Sequence, residues 1–406
     1  MLDRLEREGP DVVLLIHDTT DLDFSGHKTL ENDLGQIGNG GGKGFLCHNS
    51  LAVDPQRREV LGLVSQLLHC RPHVGKKESV AAKRERASRE SRLWLRAVED
   101  IGPSPSGRCW VDVADRGADL FEFLQALRDR RRHFVIRSCH NRALELTPEG
   151  DGSLTVAEAD EQAEGDDGKV PHLLHDHVRG LSAETTWGVE VGATTKRQAR
   201  TALVHGSACA VTLKPPHVRK GQYRKEPLPV WVIRVWEPSP PSGEEPLEWL
   251  LLTDQPITDG DRLRRVAGWY ACRPIIEEFH KGQKTGVGIE KLQLQDAESV
   301  QAAIALLSVV AIAFLNLRLA ARDEEKAGEP AQRHVPRVWV EVLSIWRYRE
   351  VRELTVKEFT LALGRLGGHL NRKSDGLPGW ITLWRGWERL HTMLEYEMSR
   401  VTCDKQ

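Results

Sequence analysis

The sequence predicts a mixed α/β fold, and three observations predict it. The unbroken β-branched and leucine run Val12-Val13-Leu14-Leu15-Ile16 has the two-sided apolar character of a strand buried in mid-sheet, and it delivers His17 and Asp18 at its end. A second apolar run, Arg108 to Ala114, ends in the same way at Asp115. Segments of helical spacing lie between and after such runs, so strands and helices alternate along the chain.

A glycine-rich connection, Gly35 to Gly44, follows the first strand. Phe45 to Val53 and Val60 to Leu67 read as strands separated by the turn-like Asp54-Pro55-Gln56, which gives a three-stranded antiparallel start. Helical spacing marks Ala87 to Asp100 and Ala118 to Arg128, and Phe134 to Arg137 adds a further short strand. The order strand, strand, strand, helix, strand, helix, strand is that of a ribonuclease-H-like mixed sheet with acids at the ends of its first and fourth strands. Beyond it, Glu145 to Gly168 carries nine acidic residues and no basic one, the pattern of an exposed loop. Thr185 to Val235 reads as short β runs with basic spots. Prolines at 238, 240, 241 and 246 then precede a strand at Trp249 to Thr253. Helices are expected at Asp261 to Lys284 and Asp296 to Arg322, followed by a polar linker, Asp323 to Pro336, and a helical end. The expected organisation is a first part of the core at 1–139, a β-rich insertion at 140–255, a second part of the core at 256–322, and a linker with a helical C-terminal region at 323–406.

Composition narrows the function classes. The 406 residues include 57 Lys plus Arg against 59 Asp plus Glu, a net charge of −2, so any site for a polyanion must be a local patch. One such patch lies between Lys76 and Arg96, where eight basic residues face three acids; a solvated helix face and a phosphate-tracking loop fit it equally. Seven scattered cysteines without a C-x-x-C pair argue for a reducing compartment and against a thiolate zinc site. Met1 to Pro10 lacks the apolar core of a signal peptide, and a cytoplasmic location is expected. The longest apolar stretch, Val300 to Leu319, is interrupted by Gln301, Ser308, Asn316 and Arg318, so a buried core helix is expected there and no membrane contact. The run Gly38 to Gly44 is not a phosphate-binding loop, because Ile37 stands where the first glycine should be and Gly44 replaces Ser or Thr. Neither His172, His175, Asp176 and His177 nor His69, Cys70 and His73 has the second ligand pair that a zinc site needs.

The candidate chemistry is carboxylate-based. Asp18 and Asp115 end strands expected to be neighbours, so their hard oxygen donors suit a shared divalent cation, although an Asp after a strand ordinarily caps a turn. Tyr270, Arg273 and Glu277 follow at helical offsets of three and four, with Lys284 further along the same expected helix. This is the composition of a metal-binding acid flanked by phosphate-holding cations, although spacing alone favours a solvated, salt-bridged helix face. Pro274 inside the segment either kinks the helix or marks its true start.

These residues also carry a resemblance. Asp18-Thr19-Thr20, Asp115-Arg116-Gly117-Ala118-Asp119 and the run Tyr270-x-x-Arg273-x-x-x-Glu277, closed by Lys284-Thr285-Gly286, resemble the three catalytic blocks of IS-four family DDE transposases of the Tn-five type. Similarity continues through Phe134 to Ser138, Pro246 to Thr253, Arg365 to Gly368 and Gly379 to Trp387. The resemblance implies a ribonuclease-H-like core that cuts and joins DNA at transposon ends by way of a hairpin. Asp18, Asp115 and Glu277 would hold Mg²⁺, with Mn²⁺ able to substitute. Tyr270, Arg273, Lys284 and Arg137 would contact DNA, and Trp249 would stack on a flipped base. The implied partners are double-stranded DNA and a second copy joined through the C-terminal helix, Trp380 to Val401. Family members carry an N-terminal end-binding domain, for which no counterpart is found ahead of the first strand. A trans-acting inhibitor of transposition, or an inactive remnant, is therefore the alternative expectation.

Overall fold

The computed structural model describes residues 1–72, 89–146, 154–157, 173–192, 199–213, 215, 226–372 and 374–403, with side chains described outside 143–146, 154–157 and 397–403. The chain packs as two units, the first formed by Met1–Asp18, His48–Pro55 and Val74–Pro274, the second by Thr19–Cys47, Gln56–His73 and Ile275–Gln406. The class is mixed α/β, as the alternation of runs requires.

In the first unit a short helix, α1 (Leu2–Glu8), leads into β1 (Val12–Asp23), whose buried run Val13 to His17 is the one read from sequence. The strand does not stop at Asp18 but continues to Asp23, because Thr19, Thr20 and Leu22 keep β-favouring residues in the chain. Its neighbours are β3 (Lys43–Asp54) on one side and β5 (Cys109–Ala114) on the other. β5 runs parallel to β1 and is followed by β6 (His133–Arg137), also parallel. The helices α2 (Arg92–Ile101) and α3 (Phe121–Asp129) bury Trp94, Val98, Phe123, Leu124 and Leu127 in one apolar cluster with Ala114, Phe134 and Ile136 of the sheet.

The β-rich segment is not a separate body. β12 (Glu248–Thr253) pairs antiparallel with β6, β11 (Leu228–Trp236) with β12, and β10 (Arg200–Leu213) with β11, so the segment extends the same sheet outward. Beyond β10 lie β7 (Ala143–Leu146), β8 (Leu154–Ala157) and β9 (Thr185–Val191), and Leu250 and Leu252 share the cluster under α2 and α3. A short helix, α4 (Leu174–Arg179), carries His175 and His177. The unit closes with α5 (Gly260–Tyr270), capped by the Asp259 carboxylate, which accepts from the Arg262 N–H at 2.8 Å.

In the second unit β2 (Gly35–Gln36) pairs antiparallel with the start of β3, so the glycine-rich connection is a short ladder. β4 (Glu59–His69) also pairs with β3. It is clasped by the long helix α7 (Ala297–Arg322), where the Asn316 amide bonds both the N–H and the C=O of Val60. Ahead of α7 stand α6 (Pro274–Lys281) and a π-helical turn, Gly282–Gly286. Among the described residues α7 is the one helix long and apolar enough to cross a membrane, and 39% of its most apolar window is buried. The expected core helix is therefore one-sided. Val300, Ile304, Ser308, Ala311 and Leu315 are buried, while Leu306 and Val309 are exposed.

The remaining helices are α8 (Arg337–Tyr348), α9 (Val356–Leu366) and α10 (Trp380–Cys403). The segment Asp323 to Pro336 is no loose linker. Ala331 N–H donates to Leu354 C=O at 2.8 Å and Val356 N–H to Glu329 C=O at 2.9 Å, which ties it beside the start of α9. That start is a full capping box: Glu358 N–H donates to the Thr355 hydroxyl and Thr355 N–H to the Glu358 carboxylate. Thr355→Ala is expected to cost about 1 kcal/mol, read by calorimetry as a fall of about 2–4 °C in Tm. In α10, Trp380, Leu383, Leu390 and Leu394 are buried within this unit, so the apolar stripe expected to meet a second copy packs first against its own chain.

Candidate active site

The site is set by the register of two parallel strands. β1 and β5 pair from Val12 with Cys109 through Ile16 with Val113, and the same offset carried two residues further brings Asp18 level with Asp115. The pleat turns both side chains to the same face, opposite to His17. Asp115 performs the ordinary duty of such a residue with one oxygen: Oδ1 accepts from the Gly117 N–H at 2.9 Å and caps the 3-10 turn Arg116–Ala118. Its Oδ2 lies 3.7 Å from Arg273 Nη2, and the same nitrogen is 3.3 Å from Asp18 Oδ2. Two carboxylates thus converge on one point, and all three side chains keep some access to solvent.

The helix expected to run from Asp261 to Lys284 is broken, which corrects the single helix expected to carry Tyr270, Arg273, Glu277 and Lys284. α5 ends at Tyr270, Arg273 N–H closes a turn on Tyr270 C=O at 2.9 Å, and Pro274 opens α6. Proline has no N–H to give, and the first turn of a helix is where none is missed. Arg273 therefore sits in the connection, Glu277 in the first turn of α6, and Lys284 in the π-helical turn, where its Nζ is 4.0 Å from Glu290 Oε1.

Tyr270, Arg137 and Trp249 do come together, all in the first unit. The Tyr270 phenol shares a hydrogen bond with Arg137, and its ring meets that of Trp249 edge-on, centroids 5.2 Å apart at 65°. Burial raises the Tyr270 pKa, with Arg137 and Arg273 opposing, so the phenol stays neutral and its oxygen accepts from Arg137. Arg137 Nη2 also donates to Glu248 C=O at 3.0 Å, which pins the guanidinium beside the half-buried Trp249. The Glu248 carboxyl is held below its usual range, chiefly by a hydrogen bond from Arg179.

One cluster was not foreseen from sequence. Behind Asp18, His17 Nε2 lies 2.6 Å from Asp112 Oδ1 and its Nδ1 lies 2.7 Å from Ser50 Oγ. Arg132 clamps Asp112 with two nitrogens, Nε at 2.8 Å. The order Ser50, His17, Asp112 has the residue types of a nucleophilic triad, but all three are 0% exposed, so no substrate reaches them. Burial lowers the His17 pKa against the pull of Asp112. A neutral ring in this position donates Nε2–H to the carboxylate and accepts at Nδ1 from the serine. The signal in the sequence was Asp112 itself, a charged residue inside the apolar run Trp110 to Ala114.

Among the described residues no group of three or more His, Cys, Asp or Glu side chains is gathered closely enough to hold a metal ion. His175, on α4, has its Nε2 2.9 Å from Ser138 Oγ. His172, His73, most of the acidic stretch 145–168 and the greater part of the basic patch from Lys76 lie outside the described residues; within that patch Arg89 pairs with Glu122 at 2.6 Å. No family model matches the chain.

Proposed function

We propose that the chain is a metal-dependent DNA transposase of the DDE type, built on a ribonuclease-H-like core. The observation that carries this reading is the convergence of Asp18, on β1, and Asp115, the residue that follows the parallel strand β5, upon Arg273. The donor set fits a hard divalent cation, since two carboxylate oxygens reach toward one positive centre from separate strands. Asp18 and Asp115 would hold Mg²⁺, with Glu277 as the third carboxylate carried over from the resemblance. The metal would supply Lewis-acid activation of an attacking water or 3′-hydroxyl and stabilisation of the leaving oxygen.

The chain's own groups supply binding and orientation. Arg273 brings a fixed positive charge to the carboxylates and a planar donor for a phosphate oxygen. Tyr270, kept neutral by burial, offers a hydroxyl, and Arg137 a second guanidinium. Trp249 presents an aromatic face on which an unstacked base can rest. The partner in this reading is double-stranded DNA, the working form a dimer joined through α10, where Ile381 and Tyr396 are exposed, and the location cytoplasmic.

The test is incubation of the purified chain with a supercoiled plasmid carrying the DNA that flanks its reading frame. Nicked and then linear products are expected with Mg²⁺ or Mn²⁺ and none with EDTA. Products that form equally in EDTA, or no products with either metal, would remove the assignment.

A further inference from the structure

The π-helical turn after α6 packs against the C-terminal helix, and the Trp380 indole fills the space between them. π-helical turns are rare, and they widen a helix at places where a side chain must be re-aimed. Here Gly282 and Gly286, four residues apart, form a notch filled by the indole of Trp380, the first residue of α10. A Cβ at 282 would stand 2.7 Å from Trp380 Cη2, and one at 286 would stand 2.9 Å from Cε3, so the ring lies across both glycines. No other residue type leaves room for it.

The indole is fixed on its remaining sides. Its Nε1–H donates to Glu278 Oε2 at 3.3 Å, and the Arg318 guanidinium lies 4.8 Å over the ring. Arg318 also donates to Pro378 C=O at 2.7 Å and sits 3.7 Å from the same Glu278 oxygen. Within the turn, Gln283 is buried and donates to Ser308 Oγ at 2.8 Å. Gly282, Gln283 and Gly286 are thus held inward, and Lys284 and Thr285 are the residues of the turn left partly or fully in solvent.

We propose that Trp380 is a positioning residue for Lys284: seated in the Gly282 and Gly286 notch, it fixes the turn that aims the Lys284 ammonium, so the C-terminal helix contributes to phosphate binding without touching DNA. This rests on the reading of Lys284 as a phosphate contact. A rigid turn presents its ammonium at one place, whereas a loosened one spends binding free energy on ordering it.

The experiment is binding of a short random-sequence DNA duplex, followed by fluorescence anisotropy over a series of KCl concentrations. A contact with one phosphate contributes about 0.9 to the slope of log K against log salt. Lys284→Ala is expected to weaken binding roughly tenfold at low salt and to lower the slope by about one. Trp380→Ala should reproduce both changes, Trp380→Phe should restore most of the slope by refilling the notch, and adding Lys284→Ala to Trp380→Ala should change little. Gly286→Ala, whose Cβ collides with the ring, should resemble Trp380→Ala and stands in for it if that variant does not fold. If Lys284→Ala leaves the slope unchanged, the functional reading of Lys284 fails and takes this inference with it. If Lys284→Ala lowers the slope while Trp380→Ala and Gly286→Ala keep that of the parent, the positioning role alone is overturned.

Discussion

Asp18→Asn and Asp115→Asn are each expected to reduce the proposed metal-dependent strand cleavage by at least about a thousandfold, a loss of about 4 kcal/mol of transition-state stabilisation, while the protein remains folded. The amide keeps the size of the carboxylate and its capacity to accept from Gly117 N–H, so the turn after β5 survives in Asp115→Asn. What it removes is the negative charge that a divalent ion requires. Both side chains are partly exposed and their pairs with Arg273 are long, so the stability change from losing one pair is small, within about 1 kcal/mol. Unchanged circular dichroism and Tm with cleavage abolished would separate a lost ligand from a damaged fold. Arg273→Gln is the informative companion, since it removes the shared cation without removing either oxygen. Cleavage that survives both aspartate variants would show that the converging carboxylates are an ordinary surface pair.

The parts of this site that were legible in the sequence are those set by local runs. Val12 to Ile16 and Arg108 to Ala114 are runs that lead into an acid, so parallel pairing of the two strands brings Asp18 and Asp115 to the same Arg273. The spacing from Tyr270 to Lys284 was equally visible, but spacing is not geometry. Pro274 can kink a helix or start one, and only the packed chain decides that it starts one. The extension of the sheet through β12, β11 and β10 was hidden because Leu251 pairs with Arg137 more than a hundred residues earlier, a contact that no local periodicity records. The same holds for His17 and Asp112, which are 95 residues apart. The segment Asp323 to Pro336 looked like a linker because its side chains are polar. Its structure comes from backbone hydrogen bonds, which composition does not show.

Arg132→Met is expected to be the most destabilising single change in the first unit, at about 3–5 kcal/mol, with a fall in Tm on the order of 10 °C. The reason is that Asp112 and Arg132 are both without solvent contact, and removing the cation leaves a carboxylate in apolar surroundings with only His17 and its strand neighbours. The pH dependence should change sign as well. In the parent, burial pushes the Asp112 pKa up, but the Arg132 guanidinium and the His17 hydrogen bond outweigh it, and the net shift is downward. A carboxyl whose folded pKa is depressed contributes stability that is present above its unfolded value near 3.8 and lost as pH falls through the folded value. Without Arg132, burial dominates and the folded pKa rises above the unfolded one, so this residue's penalty is relieved by acid and grows as pH rises through the unfolded pKa to the folded one. Urea unfolding of parent and variant between pH 4 and 8 reads the difference directly, and Asp112→Asn added to Arg132→Met should recover part of the loss because no charge is then left buried. A variant that keeps the parent's pH slope would show that Arg132 does not hold Asp112 ionised.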